Sequence, residues 1–214
     1  NYDIRKNLLE YDDVMNLQRK AVYGLRDEIL TGSLVAEKVD EAIEGVVYRF
    51  ADQYLPEGVP SDEWDLEGLQ TALKNHFTAD VEVSDEDGFD FDAIKGQISS
   101  QVVDFYQQRQ EEIIDQLLRA AEAQGAEATK DTVRERWRFF ERERYLRGID
   151  SLWKHHLKVM ESLRQGVHLE AYGQKDPKLV YKKQGYELFQ MMFDKVEENV
   201  THMLFRAEGP TEAE

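Results

Sequence analysis

The chain has 214 residues, no cysteine and a formal charge of −17. That excludes disulfide scaffolds, thiolate catalysis and Cys-ligated zinc within these residues, and makes the chain a poor non-specific binder of nucleic acid, which needs a basic surface. With 41% hydrophobic and 33% charged residues, the composition suits a helical protein with much exposed surface, long enough to bury a core without staples.

No apolar run approaches the roughly 18 residues needed to span a bilayer, and no signal peptide opens the chain. Asn1 stands first and a helical pattern is already running at Ile4, so the expectation is a piece of a longer protein. Charge divides the chain: −1 over 1–32, −16 over 33–130 and 0 over 131–214. The shifts mark expected boundaries near Gly32 and Lys130.

Residues 1–32 predict one long helix. Ile4, Leu8, Tyr11, Met15, Gln18, Val22, Leu25 and Ile29 are spaced 4,3,4,3,4,3,4, a heptad seam with one polar member, Gln18. So narrow a stripe needs partner helices. Over 33–130 a helix is expected from Leu34, with Val35, Val39, Ile43, Val46, Phe50 and Tyr54 on one face, ended by Pro56, Gly58 and Pro60. Ser61 is the expected N-cap of a short helix bearing Trp64, Leu66, Leu69, Leu73 and Phe77. An acidic connection, 80–92, follows, then a helix from Ala93 with Ile94, Ile98, Val102, Phe105, Ile113 and Leu117 inward.

Residues 131–207 predict a helical hairpin. Thr132 and Glu135 have capping-box spacing. Trp137, Phe140, Tyr145, Ile149, Leu152, His156, Val159 and Leu163 form one stripe, which fails at Arg164–Gly166. Asp176-Pro177 opens the second helix, whose stripe is Tyr181, Phe189, Phe193, Val196, Val200 and Met203. A joint of about eleven residues, 165–175, is expected between them, turning at Gly166 and Gly173. Residues 208–214 are expected to be a disordered tail. The fold class expected is all-α: a long helix packed on a helical hairpin, with an inserted acidic helical domain.

Catalytic signatures are missing. There is no Gly-rich phosphate loop and no HExxH, so no catalytic, nucleotide-binding or metal residues are assigned. His155 and His156 point to different helix faces and cannot chelate one metal. Glu10, Asp12 and Asp13 read as solvated or ion-paired, and the three Trp and Met191, Met192 and Met203 as core. Residues 164–183 stand out. Arg164, Lys175, Lys178, Lys182 and Lys183 against Glu170 and Asp176 give +3 inside an acidic protein, either an ordinary hairpin loop or a contact tip.

Several runs resemble the SecA family, the ATPases that drive preproteins through the bacterial Sec channel. Asn1-Tyr2-Asp3-Ile4-Arg5-Lys6 and Leu8-Leu9-Glu10-Tyr11-Asp12-Asp13-Val14 are similar to its long scaffold helix. Asp150-Ser151-Leu152-Trp153-Lys154-His155-His156-Leu157 is similar to the helix leading into its two-helix finger. Leu163-Arg164-Gln165-Gly166-Val167-His168-Leu169 and Ala171-Tyr172-Gly173-Gln174-Lys175-Asp176-Pro177 are similar to its fingertip, and Trp64-Asp65-Leu66-Glu67-Gly68-Leu69 to a segment of its wing. Glu170 departs from the pattern, standing where members often carry Arg.

The resemblance implies scaffold over 1–32, wing over 33–130, and scaffold return with finger over 131–207. It implies that Tyr172, Gly166, Gly173 and Lys175 contact polypeptide or channel. The implied partners are the SecYEG channel, the translocating preprotein and the motor domains of the parent chain, with no nucleic acid as primary partner. The parent would be an ATPase using ATP and Mg, while this part needs no cofactor. The implied location is the cytoplasm, peripherally on the inner membrane. Composition and heptads alone would equally suit a free-standing helical adaptor, which a Walker A motif upstream of Asn1 in the reading frame would exclude.

Overall fold

Apolar residues recur at three- and four-residue spacing almost from end to end, and proline occurs only at Pro56, Pro60, Pro177 and Pro210. The backbone therefore satisfies its hydrogen bonds within helices. The computed structural model describes residues 2–31, 34–83, 91–170 and 176–209. Among them are six α-helices, α1 (Tyr2–Leu30), α2 (Val35–Tyr54), α3 (Leu66–Phe77), α4 (Phe91–Ala123), α5 (Lys130–Glu170) and α6 (Pro177–Leu204), one 3-10 turn at Ser61–Glu63, and no strand. The all-α expectation holds. The side chains of Ile4 and Leu8, most of the 80–92 run, Tyr172, Gly173, Lys175 and residues 210–214 lie outside the described residues.

Three helix starts have specific caps. Asp65, not Ser61, caps α3, accepting from the Gly68 N–H at 2.8 Å. Ser61 instead opens the 3-10 turn, which closes at Trp64 and leaves Asp65 to restart the chain as a helix. At α5 the cap is Thr129, whose Oγ1 accepts from the Thr132 N–H (3.3 Å) while Thr132 Oγ1 accepts from the Thr129 N–H (3.0 Å). The expected box is thus displaced by three residues, with a threonine returning the bond in place of Glu135. Asp176 caps α6 as expected, accepting from the Lys178 N–H at 3.0 Å.

The chain forms two compact units, one of Asn1–Ser33 with Tyr145–Val196, the other of Leu34–Arg144 with Glu197–Glu214. In the first, α1 buries Tyr11, Gln18, Val22 and Ile29, α5 buries Tyr145, Ile149, Trp153, His156, Met160 and Val167, and α6 buries Tyr181, Met192 and Val196. Of the expected α1 seam, Tyr11, Gln18, Val22 and Ile29 are buried, while Met15 and Leu25 are half-buried. On α5 the buried residues run at every fourth position from Val133 to Trp153. That spacing drifts by about 40° per step against the helical turn, so the buried line winds. The single straight stripe consequently misses Met160 and Val167, and it leaves Phe140, Leu152 and Val159 only half-buried.

Met191 and Met203 are corrections as well. They are 62% and 38% exposed, while their neighbours Met192 and Leu204 turn inward. The chain steps by about 100° per residue, so at these two positions the neighbour, and not Met191 or Met203, lies on the inward face.

In the second unit α2, α3 and α4 bury Val39, Ile43, Val46, Leu69, Leu73, Phe77, Ile98 and Val102 completely. Phe205, just past α6, closes this core edge-on to Phe77, with ring centroids 4.8 Å apart. Arg206 beside it donates to the last carbonyls of α3, at Asn75 (2.6 Å) and His76 (2.8 Å). It satisfies acceptors that a helix C-terminus leaves open.

Two titratable groups are held inside this unit. Glu141 is 1% exposed, and one of its oxygens accepts from Tyr106 Oη (2.5 Å) and Trp137 Nε1 (2.9 Å). Burial nevertheless raises its pKa above the ordinary carboxyl value. His76 Nε2 lies 2.8 Å from Thr201 Oγ1, whose own proton goes to the Glu197 carbonyl, so the imidazole is the donor. Burial, and then His202, lower the His76 pKa to about 4.

Two outcomes follow. Tyr106→Phe should cost about 1–3 kcal/mol at neutral pH by removing a donor from a buried acceptor. The loss should shrink as the pH falls and Glu141 takes up its proton, which urea unfolding at several pH values would measure. His76 folds in favour of its neutral form. Its contribution is therefore complete above pH 6.5 and is lost as the pH falls toward about 4. Unfolding followed across that window should show an acid loss that His76→Phe reduces.

Candidate functional site

The end of the α5–α6 hairpin is built on a small core of Tyr11, Met160, Val167 and Tyr181, with Val14, Met15, Leu163, Val180 and Leu188 packed around it. The Tyr11 and Tyr181 rings meet edge to face, with centroids 4.7 Å apart at 88°. This geometry suits the ring quadrupoles. Burial raises the Tyr181 pKa, so its phenol stays neutral at physiological pH. Arg164 leans back onto α1, with its guanidinium 6.0 Å from the Tyr11 ring centre and 4.0 Å from the Asp12 carboxylate.

Gly166 does not turn the chain. It lies inside α5, which continues to Glu170, and a Cβ there would meet nothing within 4 Å. The next residue explains why the helix goes on: Val167 is 2% exposed, seated on Tyr11 and Tyr181, and tertiary burial overrides the weak helix propensity of glycine. The expected eleven-residue joint is correspondingly short, because α5 ends at Glu170 and Asp176 already caps α6. Tyr172, Gly173 and Lys175 fall in this connection, outside the described residues.

The basic stretch is also redistributed. Arg164 is drawn toward Asp12, and Lys183 lies 3.9 Å from Glu187 one turn on, while Lys182 is exposed. Asp12 is the partly exposed, ion-paired residue expected, and Asp13 is exposed. His155 is exposed and His156 buried, so the two rings lie on different faces of the helix, as expected. Sequence reasoning missed the Tyr11–Tyr181 pair. Its signal was present, since Tyr11 sits on the seam and Tyr181 one turn after Pro177. Among the described residues no group of His, Asp or Glu is arranged to hold a metal ion, and no helix is long and apolar enough to cross a membrane. Chemically, the base of the hairpin end is a packed aromatic and aliphatic core with one ion pair at its edge.

Residues 1–208 match the family described as SecA Wing and Scaffold domain. Among curated relatives, the protein translocase subunit SecA of Burkholderia orbicola (strain MC0-3) is 36% identical over 208 residues, which is 97% of this chain and 21% of that protein. The protein of the same name from Desulforamulus reducens is 37% identical over 208 residues, covering 96% of this chain and 22% of that protein. The chain thus spans about a fifth of the length of these relatives. The match runs from the seam of α1 through the hairpin to the segment after α6, and the chain belongs to the SecA wing and scaffold family.

Proposed function

We propose that the chain is the scaffold and wing part of a translocating motor that pushes preproteins through the SecYEG channel. In this reading 1–32 is the scaffold helix, 33–130 the wing, and 131–207 the scaffold return and two-helix finger. The observation that carries it is the family match over residues 1–208. Tyr172, with Gly173 and Lys175 beside it, meets the moving polypeptide and the channel mouth. A tyrosine offers a broad apolar face with one polar handle, so it grips many side chains without sequence preference. Gly166 belongs to the shaft behind the tip, and the Tyr11–Tyr181 pair braces that shaft. ATP and Mg are handled by motor domains elsewhere in the parent protein, which works at the cytoplasmic face of the inner membrane.

Two measurements test the reading. Tyr172→Gly in this chain should shift stability far less than Tyr181→Ala, a core truncation expected to cost roughly 3–5 kcal/mol. The same Tyr172→Gly change in the parent protein should cut vesicle transport strongly while ATP binding stays near normal. Undiminished transport, or a melting shift as large as that of Tyr181→Ala, removes the gripping role. Separately, calorimetry on the 214-residue chain should show no saturable ATP binding, since no phosphate-cradling loop is present in its sequence.

A further inference from the structure

The buried seam of α1 contains one amide, and each end of it has a partner. Gln18 is 6% exposed, between Met15 and Val22 on the seam. Its Nε2 donates to the backbone carbonyl of Gly185 on α6 at 2.9 Å, and its Oε1 lies 2.8 Å from Nε2 of His156 on α5. The first bond fixes the direction of the second. The amide nitrogen can only donate, so the oxygen faces His156 and the imidazole is the donor there. His156 therefore carries its proton on Nε2. Its ring is 3% exposed, stacked on Trp153 (5.6 Å) and inclined to Phe189 (5.5 Å).

The Gly185 carbonyl is within reach because α6 approaches closely at a residue without a side chain. A Cβ there would stand 2.8 Å from Met160 Cε on α5 and 3.8 Å from Val14 Cγ1 on α1.

We propose that Gln18, His156 and the Gly185 carbonyl form a register lock, which admits one axial alignment of α1 against α5 and α6. The rest of the seam lacks that power. Met15, Val22, Leu25 and Ile29 repeat at heptad spacing, and a slide of seven residues, about 10 Å, sets apolar residues against apolar residues again. The slide would strand the Gln18 amide and the His156 N–H in a dry interface, where unpaired polar groups are costly. A single buried polar residue is a known means of specifying register in apolar seams. The ion pair of Arg26 with Asp150 (2.9 Å) also joins α1 to α5, but both side chains are partly exposed and water can replace the contact. The apolar seam supplies adhesion and the amide supplies alignment.

The chain has no cysteine, so spin labels at Leu17→Cys on α1 and Leu179→Cys on α6, both exposed positions, report the alignment by pulsed dipolar spectroscopy. The labelled chain should give one narrow distance. Adding Gln18→Leu and His156→Leu, which makes the node apolar, should keep the helix content and produce a second or much broader distance distribution. Gln18→Met, nearly isosteric, is measured in the same way and carries the test if the double variant does not fold. A single narrow distance in whichever variant folds would overturn the lock. So would nitrogen NMR of the unaltered chain showing the His156 proton on Nδ1.

Discussion

Continuity of α5 is the constraint on which the rest depends. It runs for 41 residues from Lys130 to Glu170, about 60 Å at the helical rise, and both compact units take their residues from it. Two glycines, Gly148 and Gly166, lie within it, each costing roughly 1 kcal/mol of helix propensity relative to alanine. Each is followed by a fully buried aliphatic residue, Ile149 or Val167. The propensity lost at one position is offset by burial at the next. Had the helix broken at Gly166, Val167 would leave the Tyr11 and Tyr181 rings, and the base of the hairpin end would open.

Both units also place polar groups inside apolar surroundings. The first has Gln18 and His156, the second Glu141 and Thr201. Such groups add little net stability, yet they penalise alternative packings heavily, because a donor or acceptor moved off its partner has no water to fall back on. In long helices with repetitive seams that penalty has a specific target. Repetition makes shifted pairings nearly isoenergetic, and polar nodes remove the degeneracy.

The sequence disclosed most where periodicity was strict. The α1 seam and the Asp176-Pro177 start require only local rules: Tyr11, Gln18, Val22 and Ile29 are buried on the seam, and Asp176 caps α6. Errors arose where local rules competed with packing. Ser61 and Thr132 are good capping residues, but Asp65 and Thr129 hold the positions from which the helices propagate. Gly166 reads as a turn because the expected apolar stripe ends at Leu163. In fact the buried line had shifted onto Met160 and Val167, and a fixed 3.6-residue template cannot follow a line that winds. Of the residues assigned to the tip, only Gly166 lies among the described residues, and it proved to be helical.

The stretch after α3 shows how a helical protein handles a sequence that alternates like a strand. Val81 is buried and Glu82 exposed, the pattern of a half-buried β-segment. Both backbone polar groups of Glu82 are met by one side chain from α4: its N–H donates to Gln101 Oε1 at 3.0 Å, and its carbonyl accepts from Gln101 Nε2 at 2.8 Å. A primary amide presents the same donor and acceptor as a peptide group, so Gln101 stands in for a neighbouring strand. With those groups occupied, Glu82 itself offers neither its N–H nor its carbonyl to the edge of another strand. One helix side chain thereby supplies, for a residue outside the helices, the backbone pairing that a sheet would otherwise provide.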